Sequence, residues 1–174
     1  MFGDSNKYRV LKQFFLRPNK KHQIRELSRQ IDLSHPSVKD YITELVEEGF
    51  VRKVDGGTYQ GYKSDVNEKF KIYKRNETVR TLQESGLVKE LENEFRPNAI
   101  VLFGSAARGE DTEESDIDIL VVAEEGDFDT EEYEQELQRK INLQFMSQKQ
   151  IIENKEFSNS LANGTVLRGF LKVK

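Results

Sequence analysis

GSAARGEDTEESDID, residues 104–118, is the stretch that decides the fold of the second half of the chain. It follows a short apolar run, AIVLF, and leads into another, IDILVVA, so both flanks are candidate buried strands. Successive side chains of a strand leave opposite faces, which predicts that Asp116 and Asp118 share one face while Ile117 and Ile119 share the other. Two adjacent carboxylates repel at neutral pH and are tolerated when a cation or a basic neighbour compensates. The pair therefore predicts a divalent cation such as Mg²⁺, held by carboxylate, water and phosphate oxygens.

The beginning of the same stretch favours phosphate binding. Gly104 lacks a side chain, so a phosphate can approach the backbone N–H groups there, and the Ser105 hydroxyl can donate a further hydrogen bond. Arg108 adds a planar cation that can bind the same phosphates. The three residues are thus candidates for binding a triphosphate. The alternative is that Gly104 only turns the chain and that the aspartates lie on a solvent-facing strand edge.

Gly-Ser followed after ten residues by Asp-x-Asp, between two strands, resembles the polymerase-β-like nucleotidyltransferase superfamily. The likeness is greatest to its minimal nucleotidyltransferase branch and covers about residues 86–170. It implies transfer of a nucleoside monophosphate from a nucleoside triphosphate, ATP above all, to an acceptor hydroxyl with release of pyrophosphate. In that chemistry metal ions, Mg²⁺ or Mn²⁺, neutralise the phosphates and align the reacting oxygens. Asp116 and Asp118 would be the metal ligands, Gly104 and Ser105 the triphosphate cradle, and Arg108 a charge clamp.

One position departs from the pattern of that family. Active members bring a third carboxylate from the next strand, and the matching residue in RKINLQFM is Asn142. An amide oxygen can bind a metal but carries no charge, so the metal on the acceptor side would be held more weakly. Asn142 is thus a third candidate for the catalytic site, with the alternative that it is only a polar strand residue.

The first half of the chain has the apolar spacing of three helices. Val10, Leu11, Phe14 and Phe15 recur at helical spacing, HQIRELSRQI has the same period, and a tight turn leads into HPSVKDYITELVEEG. In this third helix Ser34 is expected to be the cap, with Pro36 in the first turn and Gly49 at the end. The second and third helices have the spacing of a helix-turn-helix.

A hairpin is predicted next, with FVRKV and TYQGYKSD as strands around the turn-prone DGG. Three helices followed by a basic hairpin resemble winged-helix DNA-binding domains over roughly residues 5–66. The resemblance implies duplex DNA as a partner, with groove and phosphate contacts shared between the third helix and the hairpin. The candidate DNA-binding residues are His35, Ser37, Lys39, Thr43, Arg52, Lys53 and Lys63. Winged helices also bind proteins, which remains the alternative.

The remaining pattern alternates helices and strands. A polar helix from about residue 67 connects the halves, GLVKELENEF is a further helix, INLQFM is a third strand and TVLRGFLKV a last one. We therefore predict an α/β (α+β) chain with a mixed sheet. Its parts are a winged helix-turn-helix domain at 1–66, a connecting helix at 67–85 and a minimal nucleotidyltransferase domain at 86–174.

The charge differs between the two halves. Residues 1–75 contain 16 Lys and Arg against 10 Asp and Glu, a net charge of +6, whereas residues 76–174 contain 11 against 21, a net charge of −10. A polyanion such as DNA is therefore expected to meet the first half. Cysteine is absent, the start lacks the apolar run of a signal peptide, and no stretch approaches a membrane span, so a cytoplasmic location and no membrane partner are predicted.

Three functions remain open from the sequence. The first is an enzyme that nucleotidylates an acceptor; the relatives implied by the resemblance include antitoxins that adenylylate a helical toxin-type protein. The second is a transcriptional regulator whose transferase domain only senses a nucleotide, with Asn142 as the mark of lost catalysis. The third is an interaction module without either ligand, which leaves the aspartate pair unexplained. By analogy with winged-helix regulators, a homodimer is a further expectation.

Overall fold

The computed structural model describes residues 5–55 and 60–172 of the chain. It divides into two compact units, Met1–Lys71 and Ile72–Lys174. None of the helices in the described part combines the length and the apolar composition needed to cross a membrane.

Three helices and a hairpin form the first unit, as predicted. The helices are α1 (Asn6–Leu16), α2 (Ile24–Gln30) and α3 (His35–Glu47), and the antiparallel strands are β1 (Val51–Val54) and β2 (Gly61–Ser64). The Ser34 hydroxyl accepts a hydrogen bond from the Ser37 N–H at 3.3 Å, which is the expected cap of α3. The predicted DGG turn falls largely on residues 56–59, outside the described residues.

The apolar stripes of these helices bury one core, as their spacing indicates. Val10, Phe14, Leu27, Val38 and Leu45 are fully buried in it. His22 is buried against the Phe14 ring, and its backbone pairs with that of Tyr62 on β2, which ties the segment before α2 to the hairpin. Burial lowers the pKa of His22, which keeps this ring neutral.

The connecting helix, α4 (Glu68–Glu84), begins in the first unit and continues in the second. Its apolar ends are both buried, Phe70 in the core of the first unit and Leu82 in that of the second. These two side chains therefore cannot supply a contact to a second copy of the chain. The homodimer stays a prediction.

A mixed four-stranded sheet forms the centre of the second unit, which confirms the predicted fold class. Its order is β5 (Ile141–Phe145), β4 (Ile117–Val121), β3 (Ala99–Phe103) and β6 (Thr165–Gly169). β4 and β5 are parallel, whereas β3 is antiparallel to both β4 and β6. The helices of this unit are α5 (Leu87–Phe95), α6 (Gly104–Arg108), α7 (Glu131–Leu137), α8 (Gln148–Glu153) and α9 (Lys155–Leu161).

Both faces of the sheet are covered, which explains the continuous apolar runs of β3 and β4. Ile117, Ile119 and Val121 pack into the core that includes α5, and Leu120 and Val122 pack into a second core with Ile151 and Leu161. Because β3 is antiparallel to β4 while β5 is parallel to it, the end of β3 and the starts of β4 and β5 meet at one edge of the sheet. This edge carries the predicted site residues.

Candidate functional site

Three residues lie side by side across the central strands at this edge. Phe103 of β3 is the register partner of Asp118 of β4, and Asp118 is the partner of Asn142 of β5. The Asn142 amide donates a hydrogen bond from Nδ2 to Oδ1 of Asp118 at 2.9 Å. Neighbouring strands therefore bring Asn142 to the half-buried carboxylate, with its nitrogen rather than its oxygen facing that group.

Gly104 packs directly beneath the other oxygen of the same carboxylate. Its φ is +69°, and a Cβ built there would lie 2.3 Å from Oδ2 of Asp118. A side chain at position 104 would thus be strained by the backbone and would also displace the carboxylate. Glycine is therefore required at position 104 for two reasons, the positive φ of the turn and the close approach of the backbone to Asp118.

Ser105 and Arg108 occupy the short helix α6 that follows. The Ser105 hydroxyl makes no hydrogen bond within residues 5–55 and 60–172, so it is available to a ligand. The exposed Arg108 guanidinium donates to the Gly104 carbonyl at 2.9 Å and to Glu110 at 2.8 Å. These bonds hold the arginine beside Gly104, and a phosphate would compete with Glu110 for it.

Asp116 lies immediately before β4, since the strand begins at Ile117. It is exposed and follows the predicted alternation, with the buried Ile117 between it and Asp118. Neither aspartate forms an ion pair with a basic side chain in the part of the chain that the structure describes. Lys140 lies within electrostatic range of Asp116, although its ammonium is paired with Glu134, and the Asn142 amide donates to Asp118. The protein therefore compensates the two negative charges only in part.

A buried ion triad fixes the loop in front of Asp116. The fully buried carboxylate of Asp111 contacts Nζ of Lys74, on α4, at 2.9 Å through Oδ1 and Nη1 of Arg139 at 2.7 Å through Oδ2. Arg139 also donates twice to the Ser115 carbonyl, at 3.0 and 2.7 Å. Burial lowers the pKa of Lys74, and the nearby Asp111 charge opposes that shift. Sequence reasoning missed all three residues, because nothing in their spacing pairs them.

The oxygens at this edge fit a hard divalent cation, but the chain supplies few of them. Among the described residues, no three His, Cys, Asp or Glu side chains are grouped so that they could hold a metal ion. Asp116 and Asp118 supply carboxylate oxygens, and magnesium commonly completes such a set with water and substrate phosphates. The donor set therefore suits a cation that arrives with a phosphate-bearing ligand.

The candidate DNA-binding residues of the first unit are only partly brought together. His35, Lys39 and Thr43 are exposed on α3, while the Ser37 hydroxyl is bonded to the Ser34 hydroxyl at 2.8 Å. On the hairpin Arg52 and Lys63 are register partners and share a face. Lys53 is paired with Tyr62 and so belongs to the opposite face, which separates it from the other two. Because successive side chains of a strand point to opposite faces, the sequence VRKV already indicates that Arg52 and Lys53 lie on different faces.

Two arginines of α2 join this surface without having been predicted. Arg25 and Arg29 line, with Ser28 and His35, a surface depression of about 330 Å³. Both arginines are exposed, and neither forms an ion pair within the described ranges. Their spacing of four residues places them on one side of α2, which the sequence could have indicated.

The chain matches two family models. Residues 84–169 match the model described as nucleotidyltransferase domain, and residues 6–52 match the one described as winged helix-turn-helix DNA-binding. Both predicted domain types are thereby confirmed. The domain boundaries remain a prediction.

Two curated relatives are putative protein adenylyltransferases of Methanocaldococcus jannaschii. One is 52% identical over 40 residues, which are 23% of this chain and 40% of the relative. The other is 38% identical over 98 residues, which are 52% of this chain and 94% of the relative. Among solved structures, a mutant of Lactococcus lactis ZitR matches with a TM-score of 0.39 and 12% identity, covering 50% of this chain and 60% of that one.

Proposed function

The chain belongs to the nucleotidyltransferase domain family, and we propose that it transfers a nucleoside monophosphate from a metal-bound nucleoside triphosphate to an acceptor hydroxyl. One observation carries the proposal: two aspartates without a basic partner stand at the sheet edge, and one of them packs against a glycine that leaves no room for a side chain. A carboxylate pair without an ion-pair partner is suited to a cation that is itself bound to phosphate.

Each residue of the edge has a distinct part in the proposal. Asp116 and Asp118 hold the cation, Mg²⁺ or Mn²⁺, which when bound neutralises phosphate charge. The backbone at Gly104 and the free hydroxyl of Ser105 bind phosphate oxygens, and Arg108, held beside Gly104 by its carbonyl, adds positive charge. Catalysis by these groups is positioning and electrostatic stabilisation, because the reaction needs little covalent help from the protein.

The names of the two relatives suggest the substrate. Both are called putative protein adenylyltransferases, so we propose ATP as the nucleotide and a protein hydroxyl as the acceptor. A helical toxin-type protein, implied by the antitoxins of the minimal nucleotidyltransferase branch, is the acceptor we would examine first.

The first prediction concerns nucleotide binding and transfer. Asp118→Asn keeps the shape of the side chain but removes the charge that holds the cation, so Mg-ATP affinity and label transfer from α-labelled ATP are expected to fall at least about 100-fold. Calorimetry measures the affinity, and autoradiography of an acceptor mixture measures the transfer. Asp127→Asn, an exposed acid elsewhere in the same unit, is the control and is expected to bind normally. Equal Mg-ATP binding by the two variants would exclude the proposed site.

A second function is favoured by the hydrogen bond between Asn142 and Asp118. The amide occupies Oδ1 of the carboxylate and brings no charge of its own, which weakens any cation on the acceptor side. Under this alternative the protein binds ATP without consuming it and acts as a nucleotide-sensing transcriptional regulator. ATP must then change the affinity for DNA, and DNA must change the affinity for ATP by the same factor. Equal ATP affinities with and without DNA would contradict it.

We propose duplex DNA as the partner of the first unit, and its basic surface gives the second prediction. Arg29→Ala removes one cation beside the N-terminal end of α3, so affinity for a fluorescein-labelled duplex is expected to fall at low salt. The slope of log affinity against log salt is expected to decrease in magnitude by about 1, because one phosphate contact fewer releases fewer counterions. Fluorescence anisotropy across a salt series measures both.

The control for that series is Lys89→Ala. Lys89 is exposed on α5 in the second unit, and its loss removes the same formal charge. Equal slopes in the two variants would assign the effect to net charge and contradict a DNA contact by α2.

A further inference from the structure

We propose that Arg139 is a positioning residue that fixes the backbone at Ser115 and Asp116 and thereby aims the Asp116 carboxylate. The inference rests on the proposed function, since it assigns a purpose to the backbone next to a proposed cation ligand. Arg139 opens the stretch RKINLQFM, three residues before Asn142, and is not one of the residues proposed above to bind the cation or the phosphates.

The guanidinium of Arg139 binds the loop with all three of its nitrogens. Nε and Nη2 both donate to the Ser115 carbonyl, at 3.0 and 2.7 Å, and Nη2 also reaches the Asp116 carbonyl at 3.4 Å. Nη1 donates to Oδ2 of Asp111 at 2.7 Å. A planar group with several fixed donors can hold two consecutive carbonyls in one orientation, which a single ammonium cannot do.

The contact is made to carbonyl oxygens and not to the carboxylate of Asp116. The positive charge of Arg139 is balanced by Asp111, a carboxylate with no solvent exposure. The arginine therefore orders the Asp116 backbone without forming an ion pair with its side chain, and that carboxylate stays available to a cation. An arginine that only neutralised the acidic edge would be expected on the carboxylate itself.

The Nη1 side of the Arg139 guanidinium contacts a buried ion group. Asp111 contacts Arg139 through one oxygen and Lys74 through the other, and the Lys74 ammonium also donates to the Asp111 carbonyl. Separating one member of a buried ion group from the others would leave an uncompensated charge in the interior, which is strongly destabilising. The contacts of Asp111 with Arg139 and Lys74 therefore keep Asp111 in one position. The loop from Asp111 to Asp116 is thus fixed at both ends.

The same arginine lies two residues before β5, next to the point where the strand register begins. The Ile117 N–H donates to the Lys140 carbonyl at 2.8 Å, directly after Arg139, and the register continues to Asp118 opposite Asn142. Arg139 therefore joins the loop in front of β4 to the start of β5. Its loss is expected to loosen Asp116 more than Asp118, whose position is also set by the strand pairing.

The test uses the full chain with Arg139→Lys, which keeps the charge beside Asp111 but cannot bind the Ser115 carbonyl twice. Mn²⁺ affinity is measured by electron paramagnetic resonance of the free ion in the presence of α,β-methylene ATP, an analogue that cannot be cleaved at the reacting bond. We expect an affinity about tenfold weaker than that of the wild type, the usual effect of losing a residue that orients a metal ligand. Amide hydrogen exchange is expected to rise in residues 112–117 alone.

The control is Arg168→Lys, since Arg168 is an exposed arginine of β6 paired with Glu92. It is expected to leave both measurements unchanged. If Asp118→Asn abolishes Mn²⁺ binding while Arg139→Lys stays within twofold of the wild type, the positioning role is overturned and the proposed function stands. If Asp118→Asn has no effect either, the proposed function itself fails.

Thermal unfolding separates positioning from a general requirement for folding. If Arg139→Lys does not fold, the same measurements are made on Arg139→Gln, whose amide can keep one donor to the loop. Failure of both variants to fold would assign the arginine to global stability and overturn the inference. A folded variant with weaker Mn²⁺ binding and local exchange confined to the loop supports it.

Discussion

Replacing Gly104 by alanine is expected to remove Mg-ATP binding and to destabilise the second unit. The backbone there has a φ of +69°, which costs an L-residue about 1–2 kcal/mol. The new Cβ would also lie 2.3 Å from Oδ2 of Asp118, so the carboxylate must move away from the site. We expect Mg-ATP affinity to fall about 100-fold or more, comparable to the loss of the ligand itself. Calorimetric titration measures the affinity, and urea unfolding measures the free energy of unfolding.

Gly86→Ala is the matched control for this substitution. Gly86 has a φ of +86°, and a Cβ at this position would meet nothing within 4 Å. Its replacement should therefore carry the backbone cost of about 1–2 kcal/mol without displacing any group. The difference between the two variants isolates the contact with Asp118. Equal Mg-ATP affinities in the two variants would show that this contact is irrelevant to binding.

The helical domain and the sheet edge could be predicted because their signals are local. The apolar stripe and the Ser34 cap of α3 lie within one short segment, so neighbouring residues alone indicate both the helix and its first residue. At the edge, the structure has the alternation of the exposed Asp116, the buried Ile117 and the half-buried Asp118, although β4 begins only at Ile117 and Asp116 precedes the strand. The position opposite Asp118 came from the family resemblance, and the register pairs Asn142 with it.

The buried ion triad could not be predicted, because its members come from three distant places. Lys74 lies on the connecting helix, Asp111 in the loop after α6 and Arg139 before β5, and the bonded pairs are 37 and 28 positions apart in the sequence. Charged residues are normally exposed, so a sequence gives no reason to place three of them inside. Only the folded arrangement shows that the acidic stretch EDTEES contains one anchored carboxylate.

The basic surface of the first unit could be predicted only in part. Clustering of Arg52, Lys53 and Lys63 in sequence predicted one surface, but strand alternation separates Lys53 from the other two. Arg25 and Arg29 were not predicted, although their spacing of four residues on one helix is visible in the sequence. Charge clustering along a chain therefore indicates a DNA-binding unit better than it indicates the individual contacts.

Asn142→Asp is expected to make the stability of the protein depend on a divalent cation. The substitution replaces an amide that donates to Oδ1 of Asp118 at 2.9 Å by a second carboxylate at the same place. Without a cation the two carboxylates repel each other in the folded protein, which lowers the melting temperature. A cation that binds only the folded protein raises the free energy of unfolding. The increase is about 2.7 kcal/mol when the cation concentration is 100 times its dissociation constant. Thermal unfolding with and without Mn²⁺ measures the difference.

Gln144→Glu provides the control, since it adds the same charge two residues further along the same face of β5. Its register partner is Leu120 and not Asp118, so no site is completed, and Mn²⁺ is expected to stabilise it no more than the wild type. An equal stabilisation of both variants by Mn²⁺ would contradict the assignment of Asn142 to the site.

Measuring pyrophosphate release by Asn142→Asp distinguishes the two proposed functions, the transferase and the nucleotide sensor. A gain of turnover in Asn142→Asp indicates a transferase limited by its third ligand, because the added charge strengthens binding of the cation on the acceptor side. Tighter Mn²⁺ binding without turnover favours the nucleotide sensor.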